Sequence, residues 1–312
     1  MPELHVGDRH WPVVADSNLL DALNQAGLSV PYSCRAGSCH ACLVRCVKGE
    51  PADAQPEALS LDKRREGWRL ACQCRISEDL SIEIFDPARD GLPARVLSCD
   101  WLSSSVLRLR VEPERPLRYQ AGQHMVLWNG SVARPYSLAS LPGEDGFLEF
   151  HLDCSRPGAF CDAARRLRAG DAIRLGELRG GALRYDRDWQ DRPLLLLAAG
   201  TGLGPLWGVL REALRQEHQG AIHLLHLGSV PAEHYLRAEL ETLAACHPQL
   251  QLKWITPEQL PVALDGLRRL SRQALALVCG GPGSVETFAK RLYLSGLPRN
   301  QLLADVFVGS AR

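Results

Sequence analysis

The sequence predicts a multi-domain chain of three units: a small β-rich N-terminal unit around a cysteine loop, an antiparallel β-barrel, and a C-terminal doubly wound α/β unit. Three observations carry this. Residues 34–42 place three cysteines on one short loop, answered at Cys72. Residues 94–175 hold short strand-like runs separated by Gly/Pro turns, the pattern of a small barrel. The apolar run Pro193–Ala199 passes directly into a glycine-rich turn and a segment of helical periodicity, as a buried parallel strand does. The expected units are residues 1–88, 93–190 and 192–312, with the turn-rich stretch 85–93 as a linker.

At 312 residues the chain has room for two or three domains. Apolar residues make up 46 % and charged residues 23 %, which places it among globular rather than disordered proteins. The 36 basic residues balance 36 acidic ones, so no overall field gathers nucleic acid or anionic lipid. No apolar stretch approaches the ~20 residues that a bilayer requires, so membrane insertion is not expected. Residues 1–8 show no basic segment followed by an apolar run. The expectation is a cytoplasmic protein whose eleven cysteines stay reduced as ligands, catalytic groups or packing residues.

In the first unit, Leu4–Val6 and Trp11–Val14 read as a hairpin turned at Gly7-Asp8. Asn18–Ala26 reads as a helix with Leu19, Leu20 and Leu23 on one face and Gly27 as its stop. Ser81–Phe85 alternates as a half-buried strand. Between helix and strand runs Cys34-x4-Cys39-x2-Cys42-x29-Cys72. Three thiolates on one loop cannot complete an all-sulfur site, and this spacing is that of a [2Fe–2S] cluster, where each iron takes two cysteines. Structural zinc prefers C-x2-C pairs, of which there is only one here. Gly37 lets the loop fold tightly and turn its N–H groups inward. The segment resembles a plant-type β-grasp ferredoxin over its whole length. That resemblance selects Cys72 over Cys74 as the fourth ligand and leaves Cys46 and Cys74 as packing thiols. Arg35 and His40 flank the ligands, either tuning the cluster potential or lying at the surface. Residues 1–88 carry 13 acidic and 9 basic side chains, a net of −4. This is either a solvated face or a docking surface for a partner of opposite charge.

In the middle unit, Arg134-Pro135-Tyr136-Ser137 resembles the Arg-x-Tyr-Ser motif of the ferredoxin reductase superfamily, which implies a flavin domain. Arg134 offers a charged fork to a phosphate. Tyr136 would lie against the isoalloxazine, and Ser137 would meet its N5. His151, in the run Phe147–Leu152, is assigned to the same cofactor-binding set. The superfamily's second flavin signature is Gly-x-x-Ser before Gly-Asp; here Gly158-x-x-Cys161 precedes Gly170-Asp171. Cysteine removes the hydroxyl contact to the pyrophosphate and leaves backbone N–H groups to hold it. The N-terminal position of the ferredoxin favours FAD over FMN.

In the last unit, Gly200-Thr201-Gly202-Leu203-Gly204-Pro205 precedes a helix over Leu206–Gln216, a geometry that brings a pyrophosphate onto the backbone. Alone, it could be a tight packing turn. The full phrase resembles the superfamily's nucleotide motif. Strands at Ile222–Leu227 and Ala274–Cys279 complete a doubly wound pattern. Cys279-Gly280 resembles the motif whose cysteine meets the nicotinamide. Asp305-x-Phe307 resembles an acid followed by an aromatic beside the flavin, with Asp one methylene shorter than the commoner Glu. Ser137, Cys279 and Asp305 form the expected catalytic set. After the second strand, Gly228-Ser229-Val230 carries no arginine for a 2′-phosphate, so NADH is expected; Ser229 and Arg237 keep NADPH open.

Together the units resemble, over essentially the full length, a single-chain NADH-dependent ferredoxin–flavin oxidoreductase, the reductase component of bacterial oxygenases. The implied activity takes hydride from NADH to FAD and passes single electrons through the cluster to a protein acceptor, an oxygenase, desaturase or similar enzyme. Flavin joins a two-electron donor to a one-electron carrier. A monomer is expected. The alternatives are a diaphorase or ferric reductase acting on small oxidants, and a redox-sensing module.

Overall fold

The computed structural model describes residues 1–266, 271 and 273–308. In the first unit β1 (Glu3–Val6) and β2 (Arg9–Pro12) pair antiparallel across Gly7, whose φ is 58°. The second strand stops at Pro12, short of the expected Val14, which is 70 % exposed; the chain turns away at Asp16, with φ 65°. Helix α1 (Leu19–Gln25) starts at Asn18, whose side chain accepts from the Asp21 N–H, and buries Leu19, Leu20, Ala22 and Leu23. There follow β3 (Leu43–Lys48), β4 (Ala52–Asp53), α2 (Leu61–Arg65), β5 (Trp68–Leu70), β6 (Cys74–Arg75) and β7 (Leu80–Ile84). The sheet order is β2-β1-β7-β3-β5, with β7 parallel to β1. The expected linker contains one helical turn, α3 (Pro87–Asp90), capped by Asp86.

The barrel comprises β8 (Leu92–Trp101), β9 (Val106–Pro113), β10 (His124–Asn129), β11 (Val132–Ser137), β12 (Leu148–Asp153), α4 (Ala159–Ala164) and β13 (Ala172–Arg179). Its antiparallel order is β11-β10-β13-β8-β9-β12, and a bridge between Leu138 and Phe150 brings the two ends together. Arg134-Pro135-Tyr136-Ser137 lies within β11 and was not anticipated as a strand, because Pro135 reads as a breaker. It is tolerated at the end of the strand order.

The last unit comprises β14 (Leu194–Ala199), α5 (Leu203–Arg215), β15 (Ile222–Leu227), α6 (Arg237–Cys246), β16 (Leu250–Ile255), α7 (Leu260–Asp265), β17 (Leu275–Gly280), α8 (Pro282–Leu294) and β18 (Leu302–Val306). Five parallel strands run β16-β15-β14-β17-β18, and every residue of β14 and β17 is buried. The winding reverses between β14 and β17, the position where open α/β sheets bind ligands beyond their strand ends. Barrel residues Val106, Ala121, Leu141 and Leu183 join Leu203, Leu206, Val209 and Leu210 of α5 in one hydrophobic core.

Candidate active site

The cysteine loop is wound by three residues of positive φ: Arg35 (52°), Gly37 (76°) and His40 (55°). The φ of Gly37 favours glycine, and a Cβ there would lie 2.6 Å from Gln55 Oε1, so the end of that flexible side chain would have to move. The Ala36 and Cys39 N–H groups each donate to Cys34 Sγ at 3.3 Å, and Gln73 Nε2 donates to Cys72 Sγ at 3.2 Å. The thiols meet in two pairs, Cys34 with Cys39 and Cys42 with Cys72. The hydrogen bond from Cys39 holds Cys34 down to about 4, and that from Cys42 holds Cys72 at about 7. Among the described residues no three His, Cys, Asp or Glu side chains gather around a single metal ion. Two facing thiol pairs with N–H groups aimed at sulfur are instead a donor set for a two-iron cluster. Cys74 is fully buried in the core of the unit, and Cys46 packs against that core. Arg35 pairs with Asp21 at 2.5 Å and lies over the Tyr32 ring. His40 is neither exposed nor aimed at sulfur: its Nδ1 donates to Glu177 on β13 at 3.1 Å, tying the loop to the barrel.

The loop opens onto a cleft of about 1790 Å³, well beyond the 300–1,000 Å³ of a pocket for one small ligand and suited to extended dinucleotides. Strand β11 contributes Arg134, Pro135, Tyr136 and Ser137, and β12 with α4 contributes His151, Gly158 and Cys161. Gly200, Thr201, Gly204 and Pro205 come from the turn before α5, Asp305 and Phe307 from the end of the chain, and Cys34 and Cys39 from the cluster loop. Gly202, Cys279 and Gly280 lie behind this wall. A Cβ on Gly202 would sit 2.2 Å from the Cys279 carbonyl oxygen, and one on Gly280 2.8 Å from Ala199 Cβ, so only glycine permits this approach of strand to turn. The Cys279 thiol is fully buried, and burial pushes it well up.

Several of these groups suit a bound anion or ring. Arg134 lines the cleft and makes no ion pair among the described residues. Tyr136 tilts against Phe160, and its hydroxyl lies 4.0 Å from Cys161 Sγ. The Cys161 thiol donates to the Asp153 carbonyl at 3.1 Å, and so turns toward the strand end. His151 is 5 % exposed; its Nε2 donates to Glu149 at 3.0 Å, and its Nδ1 has no partner. Burial pushes the Glu149 carboxyl up, but bonds from His151 and Arg110 outweigh it and hold the group at about 2. An orphaned buried nitrogen beside Gly204 is a polar atom that a ligand would satisfy.

Four participants carried no sequence signal. His124 Nε2 donates to the Ser38 carbonyl at 3.2 Å, and its ring stands between the cluster loop and Asp305, whose carboxyl burial pushes up. Glu149 orients His151, and Glu177 holds His40. At the far end, Glu233 accepts from the hydroxyls of Ser103, Ser104 and Ser105, near Gly228 and Ser229. Arg237 is engaged elsewhere, with Glu241 at 2.7 Å and over the Trp254 ring.

An antiparallel barrel and a doubly wound sheet sharing a dinucleotide cleft, with a two-iron donor loop in its wall, define an NAD(P)H-dependent flavin iron–sulfur oxidoreductase. Residues 5–77 match the 2Fe-2S iron-sulfur cluster binding domain family, and residues 196–263 match the oxidoreductase NAD-binding domain family. The chain is 30 % identical over 321 residues to the ferredoxin–NAD(P)(+) reductase component of the naphthalene 1,2-dioxygenase/salicylate 5-hydroxylase systems of a Ralstonia species, covering 96 % of each chain. It is 29 % identical over 327 residues to the reductase component of the naphthalene 1,2-dioxygenase system of Pseudomonas putida, again covering 96 % of each. A solved cytochrome P450 reductase of Amycolatopsis shares the fold over all of both chains, with a TM-score of 0.67 at 24 % identity. The chain belongs to the family of ferredoxin–NAD(P)(+) reductase components of oxygenase systems. No helix among the described residues is long and apolar enough to cross a membrane.

Proposed function

We propose that this protein takes electrons from NADH and delivers them one at a time to a partner oxygenase. The observation that carries this reading is the meeting of Cys34 and Cys39 with Tyr136 and Ser137 in one cleft. Bound FAD would accept a hydride and release single electrons, and the [2Fe–2S] cluster would carry them one at a time. The residues of this chain supply position and charge. Cys34, Cys39, Cys42 and Cys72 hold the cluster. Arg134 receives a phosphate, Tyr136 offers its ring face, and Ser137 offers a hydroxyl at the hydride-accepting edge. Pro135, His151, Gly158 and Cys161 shape the rest of the flavin wall. Gly200, Thr201, Gly202, Gly204 and Pro205 bring the nicotinamide dinucleotide onto the N-terminus of α5. Gly280 lets that turn approach, and Cys279 backs it. Phe307 would cover the flavin, and Asp305, whose carboxyl burial pushes up, would stand beside it.

NADH is preferred over NADPH because the carboxylate of Glu233 stands near Gly228 and Ser229, while Arg237 is occupied. The working units are residues 1–88, 93–190 and 192–312. The relatives' names point to an oxygenase as acceptor. The protein would work as a monomer in a reducing cytoplasm, four of its eleven cysteines on the cluster and the rest as thiols.

The test is anaerobic titration with NADH, read by visible absorbance and low-temperature electron paramagnetic resonance. Bleaching of flavin absorbance with a rhombic signal from the reduced cluster is expected. Cys72→Ser should lose delivery to a protein acceptor by more than about 100-fold, beyond the loss typical of an outer-sphere change, while flavin bleaching persists. Loss of both together would overturn the modular order.

A further inference from the structure

Electron delivery gives no redox part to the thiols of Cys154 and Cys161, of which Cys161 lines the cleft and Cys154 lies behind it. Cys154 follows β12 and Cys161 sits in the first turn of α4; they are 3 % and 7 % exposed, and their thiols hydrogen-bond each other. Both belong to the barrel core, separate from the core of the cluster unit. Cys161 lines the cleft, so a small oxidant can reach it. Bonds from Cys154 and Tyr136 hold the Cys161 thiol at about 7, which keeps much of it as nucleophilic thiolate at neutral pH, while the same pairing pushes Cys154 up. One sulfur is therefore set to attack and the other to resolve. The six-residue helix that carries Cys161 has no side-chain cap at Gly158, so its first turn can follow a shift of the sulfur.

We infer that Cys154 and Cys161 form a peroxide-sensitive dithiol whose disulfide weakens flavin binding. The Cys161 thiolate attacks hydrogen peroxide, breaking the O–O bond; with one proton this yields a sulfenic acid and water. The Cys154 thiol then displaces the sulfenic oxygen as a second water, forming the S–S bond. In sum, two thiols and one hydrogen peroxide give one disulfide and two waters. The Cys161 S–H is consumed, so its bond to the Asp153 carbonyl is lost, and the sulfur is drawn away from the Tyr136 hydroxyl. The effect on flavin rests on the reading of Tyr136 and Cys161 given above; the thiol chemistry does not.

The experiment treats the protein, both as purified with its cofactors and after removal of FAD, with hydrogen peroxide. Free thiols are then alkylated, and the segment spanning Cys154 and Cys161 is weighed by mass spectrometry. The FAD dissociation constant is measured in parallel by flavin fluorescence. The expected result is a segment two hydrogens lighter and protected from alkylation. FAD binding should weaken about tenfold, the scale of one lost hydrogen bond, and dithiothreitol should restore it. Cys154→Ser and Cys154→Ala should keep their FAD affinity under peroxide. Two thiols that stay alkylatable, a lone sulfinic acid at Cys161, or a disulfide with unchanged FAD affinity would each overturn the proposal. If the reduced protein itself binds no FAD, the flavin reading falls, and the mass measurement still decides whether the pair is a dithiol.

Discussion

The two seams of the molecule are built differently. Between the barrel and the α/β unit there is a shared apolar core, and charges surround it. Arg211 of α5 grips Asp145 at 2.7 and 2.9 Å and Glu144 at 3.1 Å, while Glu233 takes three serine hydroxyls from the β8–β9 turn. Between the cluster unit and the barrel there is only a small patch of Cys39, Ala41, Val126 and Trp128, extended by Phe85 stacked on Trp128 at 5.3 Å. Isolated polar contacts complete it: His40 to Glu177, His124 to Ser38, and Arg179 to the Ala58 carbonyl; one more bond, from Ser33 to the Val308 carbonyl, runs from the cluster unit to the end of the α/β unit. The cleft thus spans a seam that behaves as one core, whereas the donor loop is docked by the kind of modest, polar interface across which domains move. That division suits a carrier that must sit against the cleft and also present its cluster outward.

The largest expected effect comes from cutting the apolar seam. Leu141 is fully buried there, and Leu141→Ala should cost about 2–5 kcal/mol, read as a lower urea midpoint. Barrel and α/β probes should fall together, with the cluster unit's own transition unchanged; separate barrel and α/β transitions would contradict a shared core. Next comes pH. His226 is fully buried, donates to the Gly200 carbonyl at 3.0 Å, and is pushed down to about 4 by burial. The unfolded chain takes this proton below about 6.5, but the folded one does so only near 4. The stability this provides is therefore whole above 6.5 and is lost as pH falls toward 4, amounting to roughly 3 kcal/mol. His226→Gln should flatten that slope in urea titrations from pH 7 to 4.5; an unchanged slope would locate the acid sensitivity elsewhere. Smaller again is Arg211→Ala, at about 1–2 kcal/mol for a half-buried bidentate pair. Arg211→Lys should recover little, because a point charge cannot replace the fork.

What was legible in the sequence divides along the same line. The cysteine loop and the turn from Gly200 to Pro205 are mostly local: spacing within a few residues carries their geometry, while the fourth ligand and the nucleotide reading come from the family resemblance. Strand β11 was hidden because Pro135 signals a break, and only its place in the strand order shows why it is allowed. The strands β16 and β18 are partly polar and lie at the two ends of the sheet, where burial imposes little pattern. His124, Glu149, Glu177 and Glu233 act through contacts made across register and seam, which no periodicity records. His40 was open to two readings, tuning the cluster or lying at the surface, and is 4 % exposed with a positive φ. Cys161 was visible as a departure from its motif, but its partner Cys154 became visible only when the strand end met the helix.

The smallest effect on stability, and the sharpest on the comparison, belongs to the His40–Glu177 contact. Burial pushes the Glu177 carboxyl up, but the bond from His40 and the charges of Arg179 and Lys63 together outweigh it and keep the group below its ordinary value. The contact is thus intact above the usual carboxylate range and weakens as pH drops through it. Glu177→Gln leaves a weaker neutral acceptor, and should change the unfolding of the barrel and α/β units by no more than about 0.5 kcal/mol. It should nevertheless loosen the cluster unit, raising the radius of gyration in solution scattering and speeding tryptic cleavage at Arg89 in the connecting turn. Trp128→Ala, which removes the stacked ring from the same patch, should act in the same direction and more strongly. If neither variant changes scattering or cleavage, the second seam is as fixed as the first, and the contrast between them is one of composition alone.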